Sequence, residues 1–412
     1  MATIKPFQCI RPEKSVAHRV AALPYDVYNR QEAKAEVQRE PLSFLKIDRA
    51  ETGFDDSVDT YAPEVYERAK ELLQKDIEDG IYEKDADDAY YIYELIMGGR
   101  SQTGLVACAA VDDYVNNVIK KHENTREDKE IDRITHVDTC GAQTGPIFLA
   151  YRSQQTINEI VARIQETEPL YDFTAIDGIT HKVWKIADKS DVTEIKKSFQ
   201  GVDSIYIADG HHRAASAVKV GLKRREENPH HNGSEEYNYF LSVLFPHDQL
   251  MIMDYNRTVK DLNGLTEEDF LQKVQEYFRL EREDKPVKPE SKGTFGMYVG
   301  KQWYRLTAAP ALYEGKDAVG SLDVSVLQDY LLGPILGIGD PRTDARIDFV
   351  GGIRGLSELE KRAQEDMTIS FSMFPTSITE LFDVADQNLL MPPKSTWFEP
   401  KLRSGLFIHE IG

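Results

Sequence analysis

The chain has 412 residues, enough for roughly two or three domains, and 41% of them are hydrophobic, as in an ordinary globular protein. Its formal net charge of −20 disfavours binding to nucleic acid or to an anionic membrane anywhere outside a local basic patch. No apolar run resembles a membrane span or a secretory signal, and the three cysteines lack a CxxC spacing. We therefore expect a cytoplasmic protein with free thiols and with neither a nucleic-acid nor a membrane partner.

The apolar runs predict strands and helices in alternation along the chain, without a strict βαβ rhythm. Two runs flanking a Gly-Gly pair predict a hairpin at 89–111, and a second hairpin is predicted at 293–306. A short helix is predicted at DVTEIKKSF and a buried helix at DVSVLQDYLLGPIL. Further strands are predicted at GPIFLAY, HKVWKI, YFLSVLF and LMIMDYN. The predicted fold class is α+β or mixed α/β.

The charged stretch 282–293, REDKPVKPESKG, is the best candidate for a linker. It predicts a first region over residues 1–281, which carries the two main polar motifs. It also predicts a C-terminal α+β region over residues 293–412, which we expect to close over the site.

The stretch IYIADGHHRAASA (205–217) predicts a strand, a tight turn at Gly210 and a helix over 213–220 that ends at Gly221. The polar side chains of this turn are Asp209, His211, His212 and Arg213. They lie at a helix N-terminus, where free N–H groups and the helix dipole attract anions. A capping Asp and a core His are an alternative, but a cap alone needs no cluster of near-cationic groups. We therefore interpret the turn as an anion site.

A second polar segment, IKKHENTREDKEIDR, covers residues 119–133. If it is helical throughout, four basic side chains share one stripe: His122, Arg126, Lys129 and Arg133. Such like-charge pairs cost about 0.2–0.5 kcal/mol each, which a bound anion would offset. Alternatively, Thr125 and Asp128 form a capping box that starts the helix and leaves His122 outside it. A solvated face with salt bridges to neighbouring glutamates is a third interpretation.

A third segment, MPPKSTWFEPKLRSG, covers residues 391–405, and its prolines predict a shaped loop. Its candidate phosphate-binding side chains are Lys394, Ser395, Thr396 and Lys401. A structural wrap of the C-terminal chain is the alternative. The sequence has no GxxxxGK[ST] loop, HExxH motif, zinc spacing or GxSxG elbow, which excludes those familiar sites.

Six stretches together resemble a known family: LPYDV, PLSFLKI, KKHENTREDKEIDR, YIADGHHRAASA, DYNRTV and MPPKSTWFEPKLRSGL. From about residue 6 to the C-terminus the chain resembles the prokaryotic domain-of-unknown-function family 1015. More distantly, through the Asp-Gly-His-His-Arg turn, it is similar to the ParB/sulfiredoxin-like superfamily, which includes archaeal free-serine kinases. The resemblance implies a ParB/sulfiredoxin-like core, elaborated with additional strands and helices, within residues 1–281.

In that superfamily the turn binds nucleotide phosphates. Sulfiredoxins carry their reactive cysteine where His211 stands here, so the resemblance excludes sulfinic-acid reduction. ParB-type DNA binding is disfavoured by the acidic charge. What the resemblance implies is a kinase for a small hydroxyl compound, most concretely L-serine giving O-phosphoserine. The expected cofactors are Mg²⁺ and a phosphate donor, which is ATP, ADP or pyrophosphate.

Residue roles follow from this implied activity. Glu123 accepts the hydroxyl proton, with Asp26 as the alternative base, and Asp209 holds Mg²⁺. His212 and Arg213 act on the transferred phosphate. The remaining binding residues are Gly210, His211, His122, Arg126, Lys129, Arg133, Lys394, Ser395 and Thr396. The alternative functions are a non-catalytic nucleotide-binding regulator and a ParB-like nucleic-acid enzyme.

Overall fold

The computed structural model describes residues 1–412, except for the side chain of Asp128, and the chain forms two compact units. Unit 1 contains residues 1–250 and 400–412, and unit 2 contains residues 251–399. Each unit has its own β-sheets and its own buried apolar clusters.

The unit boundary lies at residue 250 and not in the stretch 282–293 that was predicted as a linker. The start of that stretch pairs in a sheet, and Val287 within it is buried, so the stretch is an integral part of unit 2. The predicted regions 1–281 and 293–412 are consequently each divided between the two units. The linker was predicted from the prolines and charged residues of this stretch. Those residues are compatible with turns inside a folded unit, and the burial of Val287 shows that the stretch packs into a core.

Unit 1 is built around a mixed sheet of nine strands. The strands of unit 1 within residues 1–250, which include β2, β3 and β7 outside this sheet, are β1 (Ile4–Lys5), β2 (Ile10–Pro12), β3 (Tyr82–Lys84), β4 (Tyr90–Met97), β5 (Arg100–Ala110), β6 (Ile119–Lys120), β7 (Ala142–Gln143), β8 (Ile147–Tyr151), β9 (Tyr171–Thr174), β10 (Thr180–Ile186), β11 (Ile205–Asp209) and β12 (Tyr239–Pro246). Its helices are α1 (Ala17–Val20), α2 (Arg30–Arg39), α3 (Leu45–Asp48), α4 (Pro63–Glu78), α5 (Val111–Val115), α6 (Glu127–Cys140), α7 (Gln155–Gln165), α8 (Lys189–Phe199) and α9 (His211–Glu227). The large sheet has the order β6-β11-β8-β12-β5-β4-β10-β9, and β1 also pairs with β5.

The centre of this sheet is covered on both faces. Strands β5, β8 and β12 are buried along nearly their whole length, which explains why they are continuous apolar runs in the sequence. One face packs against α7, α8 and α9 through Ile157, Phe199 and Ala214. Strands β8 and β12 run parallel, as do β6 and β11, while the other pairs are antiparallel. The predicted mixed α/β class is confirmed.

Two glycine positions show how the sequence specifies local structure. Gly98 and Gly99 both have positive φ and form the turn of the β4–β5 hairpin, which confirms the hairpin predicted at 89–111. The predicted helix end at Gly221 is wrong, because α9 continues through it. A Cβ at Gly221 would lie 2.4 Å from the Tyr237 carbonyl oxygen, so this glycine permits a close backbone approach.

Unit 2 contains a six-stranded antiparallel sheet of order β15-β17-β16-β19-β14-β18. The strands are β13 (Ile252–Met253), β14 (Tyr255–Val259), β15 (Phe278–Glu283), β16 (Thr294–Val299), β17 (Gln302–Ala308), β18 (Ile347–Gly351), β19 (Ile369–Ser372) and β20 (Trp397–Phe398). The helices are α10 (Glu267–Val274), α11 (Asp323–Leu327), α12 (Leu356–Glu365) and α13 (Ile378–Asp386). Strands β16 and β17 confirm the hairpin predicted at 293–306. The final strand of the chain, β21 (His409–Glu410), pairs with β7 in unit 1.

The helices offer no candidate for a membrane span. Within the described residues, none is both long and apolar enough to cross a bilayer.

Candidate functional site

The predicted strand, turn and helix around Gly210 are confirmed. Strand β11 ends at Asp209, α9 begins at His211, and Gly210 between them has φ of 91°. Only glycine adopts this left-handed conformation readily, and a Cβ here would lie 3.1 Å from the Arg213 guanidinium. Helix α9 therefore begins directly after the end of β11, and its first N–H groups have no intrahelical acceptors.

Asp209 lies between two cations. Its Oδ2 atom is 3.5 Å from Arg213 Nη2 and 3.6 Å from Lys401 Nζ. Burial alone would raise the pKa of Asp209, but the charges of Lys401 and Arg213 outweigh burial and lower that pKa to about 2. The carboxylate therefore stays ionised and orients both cations at the turn.

Arg213 is anchored to the fold as well as to Asp209. Its Nη1 donates a hydrogen bond to the carbonyl of Pro146, in the loop before β8, and its side chain is mostly buried. This guanidinium therefore ties the start of α9 to the neighbouring strand.

Two buried histidines meet beside the turn. His122 and His211 are only 1% and 6% exposed, and their rings lie edge to face with centroids 4.5 Å apart. Within the described chain, neither ring nitrogen of His122 has a hydrogen-bond partner of ordinary geometry, and Nε2 of His211 has none. Burial is the main cause that lowers the pKa of His122 to about 3 and that of His211 to about 4. Both rings are neutral at pH 7, so each carries one N–H donor and one acceptor nitrogen. The backbone of Ile207 lies near the His122 ring, and Glu123 lies 3.9 Å from Nδ1 of His211.

His212 has a different environment. Its Nε2 accepts a hydrogen bond from the Arg126 backbone N–H at 3.0 Å, which places the proton of the neutral ring on Nδ1. Burial lowers its pKa, and the carboxylates of Glu130, Glu123 and Asp26 oppose that effect. The bond to Arg126 fixes the 121–126 segment against the start of α9.

The two candidate bases both face this group of histidines. Glu123 Oε2 lies 3.9 Å from His211 Nδ1, and the Glu123 side chain is 35% exposed. Asp26 is exposed in a short 3-10 turn, close enough to raise the pKa of His212. The structure thus brings Glu123 into direct contact range of the turn and leaves Asp26 at its edge.

The basic stripe predicted for a continuous helix over 122–133 does not form. Helix α6 begins at Glu127, so His122 and Arg126 precede it. Thr125 Oγ1 donates to the carboxylate of Glu130, which closes the preceding loop. The capping-box alternative involves the side chain of Asp128, which lies outside the described residues.

The other two members of the predicted stripe, Lys129 and Arg133, lie in different environments. Lys129 Nζ donates to the Tyr61 hydroxyl at 3.2 Å near the surface. Arg133 is buried, donates from Nε to Asp132 at 2.9 Å, and lies over the Tyr25 ring at 4.0 Å. The positions share a helix face, but packing against Tyr25 takes Arg133 away from solvent.

The third polar segment is divided between the units. Lys401 belongs to unit 1 and reaches Asp209, whereas Lys394, Ser395 and Thr396 belong to unit 2. Ser395 is buried and donates from Oγ to the Pro392 carbonyl at 2.6 Å. Lys394 Nζ lies 5.6 Å from the centre of the Tyr255 ring, also in unit 2.

A pocket of about 490 Å³, its open mouth included, lies next to the turn in unit 1. Arg133 and Arg213 both line it. Its other polar side chains, which sequence reasoning missed, are Tyr25, Asp48, His136, Gln143, Thr144 and Ser404. Asp48 is the last residue of α3 and directly follows the stretch PLSFLKI. The sequence signal that could have identified it is an acidic residue at the end of an apolar run.

Solved structures show distant similarity to this chain. A free serine kinase mutant in complex with ADP has a TM-score of 0.36 and 13% identity, over 73% of this chain and 92% of that chain. C-terminally truncated SbnI from Staphylococcus aureus has a TM-score of 0.38 and 12% identity, over 73% and 85%. A conserved hypothetical protein from Pyrococcus furiosus has a TM-score of 0.34 and 14% identity, over 74% and 94%.

Comparison with curated proteins gives no match. A family model described as "Protein of unknown function (DUF1015)" matches residues 4–325. The match confirms the predicted family, although it ends before the C-terminal segment where the predicted resemblance continued. With more than three quarters of its residues matched, the chain belongs to the DUF1015 family.

Proposed function

We propose that the protein is a phosphotransferase that phosphorylates a small hydroxyl compound, most concretely L-serine to O-phosphoserine. The donor is a nucleotide, ATP or ADP, or pyrophosphate. The observation that carries the proposal is the pair of buried histidines beside the start of α9, His122 and His211. Both ring nitrogens of His122 and Nε2 of His211 form no hydrogen bond of ordinary geometry within the described residues.

Buried ring nitrogens without well-formed hydrogen bonds favour a ligand that supplies polar partners. Leaving such a group unsatisfied costs about 1–3 kcal/mol, so native proteins rarely do so without a reason. A phosphate group carries several acceptor oxygens and is attracted to a helix N-terminus. The neutral His122 and His211 rings, together with the first N–H groups of α9, form a suitable cradle for it.

The charges around the turn support an anionic ligand in an otherwise acidic protein. Lys401 and Arg213 are held side by side by the carboxylate of Asp209. Phosphoryl transfer needs charge neutralisation and positioning more than covalent chemistry. In this proposal Lys401 and Arg213 neutralise the donor phosphates, and Asp209 is a positioning residue for both.

The transfer step requires one proton acceptor. The acceptor hydroxyl oxygen attacks the terminal phosphorus, a new O–P bond forms, and the bond from phosphorus to the bridging oxygen breaks. The bridging oxygen leaves with the electron pair on the shortened donor. Glu123, beside His211 and partly open to solvent, accepts the hydroxyl proton.

The predicted Mg²⁺ ligand does not fit that role in this structure. Asp209 is already engaged by Lys401 and Arg213, and two neighbouring cations repel a third. No step of the proposed reaction therefore runs through a metal ion at Asp209.

Phosphorus NMR tests the proposal. Purified protein is incubated with L-serine and each of ATP, ADP and pyrophosphate, in parallel samples with and without Mg²⁺. We expect an O-phosphoserine resonance with at least one donor, its loss in Glu123→Gln, and its retention in His230→Ala, which alters an exposed loop. Nucleotide binding without any phosphorylated product across a panel of hydroxyl compounds would instead support a nucleotide-binding regulator.

A further inference from the structure

A buried carboxylate, that of Asp48, lines the pocket beside the turn. Asp48 is 4% exposed, and its Oδ1 accepts a hydrogen bond from Thr144 Oγ1 at 2.9 Å. Across the part of the chain that the structure describes, Asp48 forms no salt bridge with lysine or arginine. The charges of Asp48 and Arg133 act on each other across the pocket, but no lysine or arginine among the described residues contacts the carboxylate directly. The carboxylate is therefore open to the ammonium group of a ligand.

The same pocket contains a guanidinium with donors to spare. Arg133 uses Nε for Asp132 and lays its face over the Tyr25 ring. Neither Nη1 nor Nη2 donates to any described residue, although a guanidinium carries five N–H donors. Paired Nη groups match the two oxygens of a carboxylate, so this position favours an anionic group.

The histidine that lines the pocket, His136, carries no charge. His136 Nε2 lies 3.2 Å from the Ile47 carbonyl oxygen, and burial lowers its pKa, with the Arg133 charge acting in the same direction. The charges that face a ligand are therefore negative at Asp48 and positive at Arg133 and Arg213. A simple anion meets repulsion from Asp48, and a simple amine meets repulsion from the two arginines.

We infer that this pocket binds the acceptor as a zwitterionic α-amino acid, with its ammonium group at Asp48 and its carboxylate at Arg133. The inference rests on the proposed phosphotransferase function, because the bound amino acid is the molecule whose hydroxyl is phosphorylated. Arg213 belongs both to the pocket and to the turn, so a ligand held in the pocket lies beside the phosphate cradle. Asp48 and Arg133 are then the residues that determine specificity.

Isothermal titration calorimetry of the full chain with three small ligands tests the inference. L-Serine carries both charged groups, glycerate lacks the ammonium group, and ethanolamine lacks the carboxylate. We expect wild-type protein to bind L-serine at least about 30-fold more tightly than either analogue, as is typical when one partner of a buried charge pair is missing.

Two variants assign the groups separately. Asp48→Asn should weaken L-serine at least about 30-fold while leaving glycerate binding nearly unchanged, so that the preference for serine over glycerate disappears. Arg133→Gln should remove the preference for serine over ethanolamine in the same way. Asp76→Asn is the matched control, because Asp76 is another buried acid that pairs with Lys46 on α3, outside the pocket. Thr144→Val, which keeps the side-chain shape, provides a milder change at Asp48 should Asp48→Asn fail to fold.

The outcomes separate this inference from the proposed function. Equal serine-to-glycerate preference in wild type and Asp48→Asn, or no binding of L-serine to wild type, overturns the inference. Serine phosphorylation with unchanged serine KM in Asp48→Asn overturns the inference while leaving the proposed function intact. Serine binding that depends on Asp48 but yields no phosphorylated product supports the inference and contradicts the proposed function.

Discussion

Lys401 Nζ lies 3.6 Å from Asp209 Oδ2, so a residue near the end of the chain contacts the turn at the start of α9. The lysine side chain is 18% exposed, and the same carboxylate oxygen also faces Arg213. One carboxylate thus holds two cations at the helix N-terminus where the proposed donor phosphates bind.

Replacing Lys401 with Met should lower turnover by about 10²–10³-fold, because one preorganised positive charge opposite the phosphates is lost. The melting temperature should change little, since a partly exposed ion pair contributes about 0–1 kcal/mol. Lys185→Met is the matched control, because Lys185 pairs with Asp85 at 2.9 Å away from the turn. Turnover and thermal melts are measured on both variants. Equal effects of the two substitutions on turnover would contradict a role for Lys401 at the phosphates.

Replacing His122 with Phe should stabilise the ligand-free protein by about 1–3 kcal/mol, because two buried nitrogens that form no hydrogen bond of ordinary geometry are removed. The same change should weaken binding of ADP and pyrophosphate. His181→Phe is the control, since its Nδ1 bonds the Tyr93 hydroxyl and its Nε2 bonds Arg403, and we expect that variant to be destabilised. Urea unfolding and calorimetric titration give the two readouts. Lower stability together with unchanged ADP affinity in His122→Phe would argue against the cradle.

Arg213→Ala should reduce both turnover and stability. The Pro146 carbonyl loses its charged donor, which costs about 1–3 kcal/mol, and the donor phosphates lose a charge-assisted contact. Arg213→Lys keeps the charge without the two-pronged geometry, so we expect part of the turnover to return. Both variants are compared with His230→Ala in melts and turnover assays. Near-wild-type turnover in Arg213→Ala would rule out its assignment to the phosphates.

The buried histidines should make stability depend on pH. The pKa values of His122 and His211 in the folded protein, about 3 and about 4, lie below the ordinary 6.5. Between the folded pKa values and 6.5, the unfolded chain binds more protons than the folded protein. The free energy of unfolding is therefore highest above about pH 6.5 and falls as the pH drops towards 4. Each group contributes up to about 1.4 kcal/mol per pH unit in that window. Urea unfolding from pH 7.5 to 5 should give a shallower slope for His122→Phe than for wild type, and identical slopes would contradict the burial argument.

Duplex DNA should not bind at physiological salt. Neutralisation of backbone phosphates supplies most non-specific affinity, and a net charge of −20 opposes it. Fluorescence anisotropy with a labelled duplex at two salt concentrations measures this. Sub-micromolar binding with a steep salt dependence would favour the nucleic-acid alternative.

The local elements could be predicted from the sequence because their causes are local. The spacing of apolar residues and the turn-forming glycines predicted the β4–β5 hairpin and the succession of β11, Gly210 and α9. These signals are local, because a glycine with positive φ and a continuous apolar run determine the structure of only a few neighbouring residues. The anion-attracting helix start followed from the same short stretch. Family membership followed from long motifs whose spacing is itself a sequence property.

The composition of the site was decided by tertiary structure. His122 meets His211 across 89 positions, and Lys401 meets Asp209 across 192, and no periodicity links such distant residues. The sequence places Arg133 on one face of a helix but does not determine whether that face is exposed or buried. In the structure Arg133 packs on the Tyr25 ring and lines the pocket. Asp48 is a polar helix end in the sequence, and it becomes a buried carboxylate of the pocket because α3 is enclosed by the surrounding core. Burial and distant contacts depend on how the whole chain packs, so local pattern could indicate the turn but not the pocket beside it.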